Sequence, residues 1–465
     1  MIYDFSKSTC RRGTNSYKWD SAAGDDIIPL WVADMDFETY PGITEALRRR
    51  VDHAIFGYTR VPDSYYEAVC RWFEERHGWR FHRDDIIYTS GVVPAISAII
   101  KALTLTGDQV VVMGPVYNCF FSSIRNNGCE LSSSPLIYNK ALLRYEIDFH
   151  DLEQRLSHER ARLLLLCNPH NPGGRVWSRD ELERVAVLCK KHGVRVVSDE
   201  IHCELTLGDH RYTPFGTLPD DLSYGSVTCC SPSKAFNIAG LQIANIVCRD
   251  AAVCERIDRA ININEVCDVN PFGVLALQAA YSDGGYEWLC QLRAYITENY
   301  RRLRDFFARE LPHLPVMNME GTYLAWVDCS SLGESSEHIE ERLMRENRVW
   351  VNAGAVGQHL RQMVESVSLV PFQPQRRADE GRRRLGGGAE RGRHPAALVV
   401  LDELTGEFLF HALALFAAGQ QQKAFHLHQM RRHLNEGTGS LGVGVGLLHG
   451  AGVLVDQLED GDVVQ

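Results

Sequence analysis

Three short stretches carry residue types that do chemistry. CNPHNPGG (167–174) brings Asn171 after the apolar run LLLL. SDEIH (198–202) brings Asp199 and His202 after VRVV, and SPSKAFNIAG (231–240) brings Ser231, Ser233 and Lys234 after VTCC. Alone, each has an ordinary explanation: a turn sequence, a helix-capping carboxylate, a solvated lysine. Together they meet the needs of a pyridoxal phosphate site. Lys234 can form a Schiff base with the aldehyde. Asp199 can keep the pyridine nitrogen protonated, Asn171 and His202 can hydrogen-bond the phenolic oxygen, and Ser231 and Ser233 can bind phosphate. YTSGVVPAISAII (88–100) reads as a strand end, a glycine and an apolar helix. The backbone N–H groups of Gly91, Val92 and Val93 would then cradle a dianion. PVYNCFF (115–121) offers Tyr117 to stack on the ring.

The elements that must position these residues are legible. QVVVMG (109–114), ARLLLLCN (161–168), VRVVSDE (194–200) and GSVTCCSPS (225–233) read as buried parallel strands. SRDELERVAVLCKKHG (178–193) reads as a helix with Ser178 as N-cap, Glu181 completing a capping box and Gly193 at the stop. This alternation predicts an α/β domain with a mostly parallel central sheet flanked by helices, with ligands outside the carboxyl ends of its strands. YITENYRRLRDFFAREL (295–311) reads as a charged helix and EGTYLAWVD (320–328) as a strand. They suggest a smaller α+β domain.

Composition narrows the function classes. The 465 residues are 45% hydrophobic and 23% charged, with a net charge of −11. That is ordinary for a globular chain and lacks the basic footprint of nucleic-acid binding. No run reaches the length of a membrane span, and MIYDFSKSTCRRGTNSYKWD lacks the apolar core of a secretion signal. A cytoplasmic protein is the expectation. The fourteen cysteines show no disulfide framework and no CxxC pair, so they read as buried thiols and no metal is expected.

The order SGVVPAI, PVYNCFF, CNPHNPGG, SDEIH, SPSKAFNIAG resembles that of fold-type I pyridoxal-phosphate enzymes, the class I/II aminotransferase superfamily. YKWD (17–20), LWVADMDF (30–37), FGYTR (56–60), DEIH and EGTYLAWVD look like its MalY/PatB branch, the cystathionine or cysteine-S-conjugate β-lyases. Typical aminotransferases carry tyrosine where this chain has His202 and arginine where it has Gln242. The resemblance implies carbon–sulfur β-elimination from an amino-acid thioether, with an aminotransferase or a cofactor-holding regulatory protein as rivals. It implies a homodimer in which Tyr58 reaches the phosphate of the partner's cofactor. Asp34 and Asp36 would lie near the substrate entrance, with no catalytic role, as turn and cap carboxylates. The implied domains are an N-terminal segment (1–45) contributing to the small domain, a large cofactor domain (46–285) and a small domain (286–356).

The chain departs from the family after VWVNAGAV (349–356). There the family has an F-x-R-[IL]-N strand whose arginine pairs with the substrate carboxylate. No residue here matches it; Arg361 is close but has the wrong context. Residues 1–356 hold every Cys, Tyr and Trp of the chain, and 357–465 hold none. RRADEGRRRLGGGAERGR (376–393) carries seven arginines and five glycines. The sequence reads as a change of reading frame or a fusion near residue 356. The small domain is expected to lose its final strands and helix, which would leave backbone unpaired.

Overall fold

The computed structural model describes residues 2–354, apart from Ser8, Ala23, Asp25, Asp26 and 264–268, together with the backbone of 366–369. Seven strands form the central sheet. They are β1 (Ile86–Thr89), β2 (Gln109–Gly114), β3 (Glu130–Pro135), β4 (Ala161–Cys167), β5 (Arg195–Asp199), β6 (Val227–Cys230) and β7 (Ala244–Val247). Their spatial order is β1-β7-β6-β5-β4-β2-β3. β7 runs antiparallel to both neighbours and the other pairings are parallel. The expected mostly parallel sheet is present, and the four predicted strands form within two or three residues of their expected ends.

The central strands β2 and β4 are mostly apolar because both faces are covered, whereas the edge strand β3, Glu-Leu-Ser-Ser-Ser-Pro, is polar. Successive side chains alternate faces. Val110, Val112, Leu163 and Leu165 join one core with Ile96 and Ile99 of helix Val92–Leu103. Val111, Met113, Leu164 and Leu166 join another with Leu182, Val185 and Ala186 of helix Arg179–His192. That second helix begins as the sequence requires. Ser178 accepts from the Glu181 N–H, the Glu181 side chain reaches back, and Gly193 closes the end at φ 68°.

A third core joins Trp72, Phe236 and Trp288, and a fourth joins Leu303, Phe307, Val327, Leu343 and Val349. Helix Asp283–Glu310 serves both. Its first half buries Trp288, Leu292 and Ile296 in the third core, and its second half buries Leu303, Phe306 and Phe307 in the fourth. It starts twelve residues before the 295–311 pattern, because the Ser282 cap accepts from the Gly285 N–H. EGTYLAWVD yields a shorter strand than expected, Ala325–Asp328, designated β8. Glu320 instead bonds Arg175 at 2.9 Å, and Thr322 takes φ 68°, which turns the chain before β8 begins.

The small sheet corrects one expectation. Asn352–Ala353 (β9) and Ser366–Leu369 (β10) are both strands, and β10 pairs antiparallel with β8 and β9. Backbone pairing asks for extended peptide groups, whatever the side chains, and Ser-Val-Ser-Leu has the alternation of a half-buried strand. A closing strand is therefore kept where its loss was expected. The remainder of 357–465 lies outside the described residues, as does Arg361. A further parallel pair joins Ile28–Pro29 to Val349–Trp350.

Ser178→Ala removes the side-chain acceptor at the start of helix Arg179–His192. It should lower unfolding free energy by about 1 kcal/mol, read from the denaturant midpoint at unchanged slope.

Candidate active site

The carboxyl ends of β4, β5 and β6 lie side by side. Cys167 pairs with Asp199, and Asp199 pairs with Cys229. The residues just beyond these ends therefore converge. The loop after β4 is closed tightly: the Asn168 N–H donates to Asp199 O at 2.9 Å and the Gly174 N–H to His170 O at 2.9 Å. Gly174 holds φ 67°, and a Cβ there would meet the Met319 backbone at 3.2 Å. Only glycine suits that position. The Trp177 indole N–H, donating to Cys167 O at 2.9 Å, pins the loop's far end.

Asp199 is buried, 3% exposed, and its Oδ1 accepts from the Ile201 N–H at 3.1 Å. Burial pushes its carboxyl up to about 7; the charge of Glu200 adds to this and Lys234 opposes it. Glu200 has a different task. It accepts from Tyr212 Oη, from Ser198 Oγ at 2.7 Å and from the Phe215 N–H at 3.0 Å, which braces the strand end. Burial lifts it to about 7 as well. His202 is 2% exposed, and its Nδ1 has no partner. Burial, then the charge of Lys234, drives it down to about 3, so the ring is neutral. Lys234 Nζ donates to the Ala33 carbonyl at 2.7 Å. Burial lowers its proton affinity, while Asp34 and Asp199 oppose the shift.

Tyr117 joins this group. Burial raises its hydroxyl, and Cys119, Asp199 and Cys167 add to the rise. Tyr323 stands edge-on to His202, with ring centroids 6.0 Å apart, and its hydroxyl donates to Ala33 O at 3.0 Å. Gly91 is the N-cap of helix Val92–Leu103, whose first internal donor is the Ala95 N–H to Gly91 O. Pro94 has no N–H, so Gly91, Val92 and Val93 supply the donors of that helix start. Ser231 is committed elsewhere: its hydroxyl donates to Ile243 O at 2.5 Å and accepts from the Ser233 N–H at 3.0 Å. Tyr58 stands outside this assembly, 98% exposed on a segment that also exposes Ile55 and Phe56.

The arrangement fits pyridoxal phosphate. A buried imidazole has an orphan nitrogen, a buried carboxyl has a single backbone partner on one oxygen, a buried amine sits between them electrostatically, and helix-start donors are at hand. Sequence reasoning missed the Ala33 carbonyl, since a backbone acceptor has no residue signature. It also gave Tyr323 no role, although EGTYLAWVD pointed to it. Asp36 is corrected from a turn or cap carboxylate. It is 5% exposed and accepts from three side chains, Arg11, Lys18 and Trp19, each at 2.8 Å.

The buried groups set a pH dependence without cofactor. Asp199 and Glu200 bind protons more tightly folded than unfolded, so each lowers stability as pH rises from about 4 to about 7. His170 and His202, both held near 3, do the reverse: each lowers stability as pH falls below about 6.5. The two pairs offset each other between about pH 4.5 and 6.5. Asp199→Asn removes one of the two carboxyls from the balance. Stability of the cofactor-free variant should then climb with pH relative to the parent by about 1.4 kcal/mol per unit across that window. Parallel pH slopes of the two unfolding free energies would contradict the assignment.

Comparison with known proteins agrees with this geometry. The profile of the family described as aminotransferase class I and II matches residues 25–362. The chain is 43% identical over 355 residues to cystathionine beta-lyase PatB of Bacillus subtilis, covering 76% of this chain and 91% of that protein. It is 32% identical over 363 residues to protein MalY of Escherichia coli, covering 76% and 90%. Among solved structures it resembles cystalysin from Treponema denticola, which contains a pyridoxal 5'-phosphate cofactor. The TM-score is 0.76 at 31% identity, over 80% of this chain and 94% of that one. Sheet order, the strand-end constellation around Asp199 and Lys234, and these matches together show that the chain belongs to the class I and II aminotransferase family, in its MalY/PatB branch.

Proposed function

We propose that the protein is a pyridoxal-phosphate-dependent carbon–sulfur β-lyase. It converts L-cystathionine or a related L-cysteine thioether, with water, to a thiol, pyruvate and ammonia. The observation that carries this reading is the half-buried Lys234, its amine held on Ala33 O, with Asp199 and a neutral His202 in its field. The 43% identity to a cystathionine beta-lyase supports the choice of reaction.

In this reading Lys234 would take the cofactor aldehyde and Asp199 would serve the ring nitrogen. Asn171 and the orphan nitrogen of His202 would bond the phenolic oxygen, and Tyr117 would stack on the ring. Gly91, Val92, Val93 and Ser233 would hold the phosphate, and Ser231 would brace their turn. Once bound, the cofactor supplies an aldehyde for the substrate amine and a ring that takes up the electron pair released at Cα. Lys234 Nζ, freed when the substrate amine takes its place on that aldehyde, would remove the Cα proton, for which burial suits it by lowering its proton affinity. Asp199, as a carboxylate, keeps the ring nitrogen protonated. The bond from Cβ to sulfur breaks and the sulfur departs as thiolate.

The exposed Ile55, Phe56 and Tyr58 support a homodimer with shared sites. No helix among the described residues is long and apolar enough to cross a membrane. No disulfide joins the thirteen described cysteines, which supports a cytoplasmic setting.

Incubation with pyridoxal phosphate and L-cystathionine should release pyruvate and free thiol together, and Lys234→Ala should cut kcat by at least about 10³-fold. Amine transfer dependent on an added keto acid, with no pyruvate from cystathionine, would assign the aminotransferase reaction instead. Lys234→Ala and Tyr58→Ala chains should each be nearly inactive alone, yet regain turnover when mixed. One site of the mixed dimer then contains both side chains. Failure of mixing to restore activity between exchanging subunits would refute the shared site.

A further inference from the structure

The Ala33 carbonyl that receives Lys234 belongs to a short strap, residues 33–39, held along its length by side chains. Asp34 O accepts from Lys18 Nζ at 2.8 Å. Met35 O accepts from Arg11 at 3.0 Å and from Asn237 Nδ2 at 2.8 Å. Phe37 O accepts from the same Asn237 amide at 2.8 Å, and Thr39 Oγ1 donates to Phe236 O at 2.6 Å. The strap is thus bolted to the loop that carries Lys234, only two and three residues beyond it.

Its other side rests on a buried charge cluster. The Asp36 carboxylate binds Lys18 at 2.8 Å and Arg11 at 2.8 Å, and Arg11 also binds Asp34 at 2.6 Å. The Lys18 side chain is fully buried. A buried ion pair adds little net stability over an apolar filling, because desolvation takes back most of the attraction. What it does impose is a fixed geometry, since each charge must meet its partner or be stranded. Here that geometry ends at Ala33 O.

We propose that Lys18, Asp36 and Trp19 are positioning residues for Lys234, fixing the Ala33 carbonyl as the acceptor that holds Nζ whenever the amine is not covalently engaged. The inference rests on the reading of Lys234 as the reacting amine. Asp34, Asp199 and Cys119 favour the charged form of Lys234, and burial opposes it; His202 stands near enough for Lys234 to weigh on it. A carbonyl held 2.7 Å from Nζ adds to the side that keeps the proton. Without the cluster the strap loosens, the acceptor is lost, and Nζ deprotonates more readily.

The test is competitive acylation of the full chain, stripped of cofactor, with acetic anhydride across pH, followed at Lys234 by peptide mass spectrometry. The double variant Lys18→Met/Asp36→Asn removes the hub without stranding a charge. It should label Lys234 about tenfold faster at neutral pH, equivalent to a midpoint about one unit lower. Trp19→Phe, which removes one neutral donor to Asp36, should shift labelling the same way by a smaller factor and serves if the double variant does not fold. Ser178→Ala, a remote destabilising change, should leave Lys234 labelling as in the parent. Parent-like labelling in a folded hub variant overturns the proposal, as does an equal shift from Ser178→Ala. Pyridoxal phosphate should protect Lys234 of the parent chain from the reagent. Lack of protection would strike the reading of Lys234 as the cofactor amine, while the variant comparison would still report on the strap.

Discussion

A carboxylate sealed from water must find a cation or keep its proton. Asp199 is in that position, and much of the molecule is arranged around it. Parallel pairing fixes it between Cys167 and Cys229, so it cannot turn toward solvent. The helices on both faces exclude water from the strand end. Lys234 arrives from the adjacent strand β6, and its charge is the compensation at hand. The same burial that lifts the carboxyl to about 7 keeps His202 neutral and lowers the proton affinity of Lys234. One physical cause, desolvation, thereby shifts a carboxyl, an imidazole and an amine toward their neutral forms within a few residues of three strand ends.

Much of this was legible in the sequence. The runs LLLL, VRVV and VTCC are mostly apolar because their strands are covered on both sides, and each is followed by a polar cluster at the sheet's carboxyl edge. Capping of helix Arg179–His192 was readable because Ser178, Glu181 and Gly193 act locally. The misses were contacts made by backbone or across long separations. Ala33 O acts as an acceptor 201 residues from Lys234. Asp36 looked like a turn residue because nothing local shows that Arg11, Lys18 and Trp19 fold back onto it. The bond from the Ser231 hydroxyl to Ile243 O, twelve residues on, was likewise not readable.

The small sheet shows how shape and chemistry can part company. β10 completes the hydrogen-bonding pattern between β8 and β9 with Ser-Val-Ser-Leu. The ladder reads only backbone, so it is satisfied. The substrate-carboxylate arginine of the family motif is a side-chain property, and no residue of that strand supplies it. The candidate cofactor residues all lie before 356, whereas the family's carboxylate-binding motif falls in the part of the chain that departs from the family.

The pairing of Ile28–Pro29 with Val349–Trp350 bears on how the protein is made. The partner of this early strand is synthesised more than three hundred residues later. At about 5–20 residues per second that is a wait of roughly tens of seconds. Through this interval Ile28–Pro29, a few residues ahead of the strap, lacks its final partner, while Phe236 and Asn237, which bond the strap, emerge partway along. The strand leading into the strap is thus paired only after about three quarters of the chain has been made, and until then the nascent chain carries an unpaired edge.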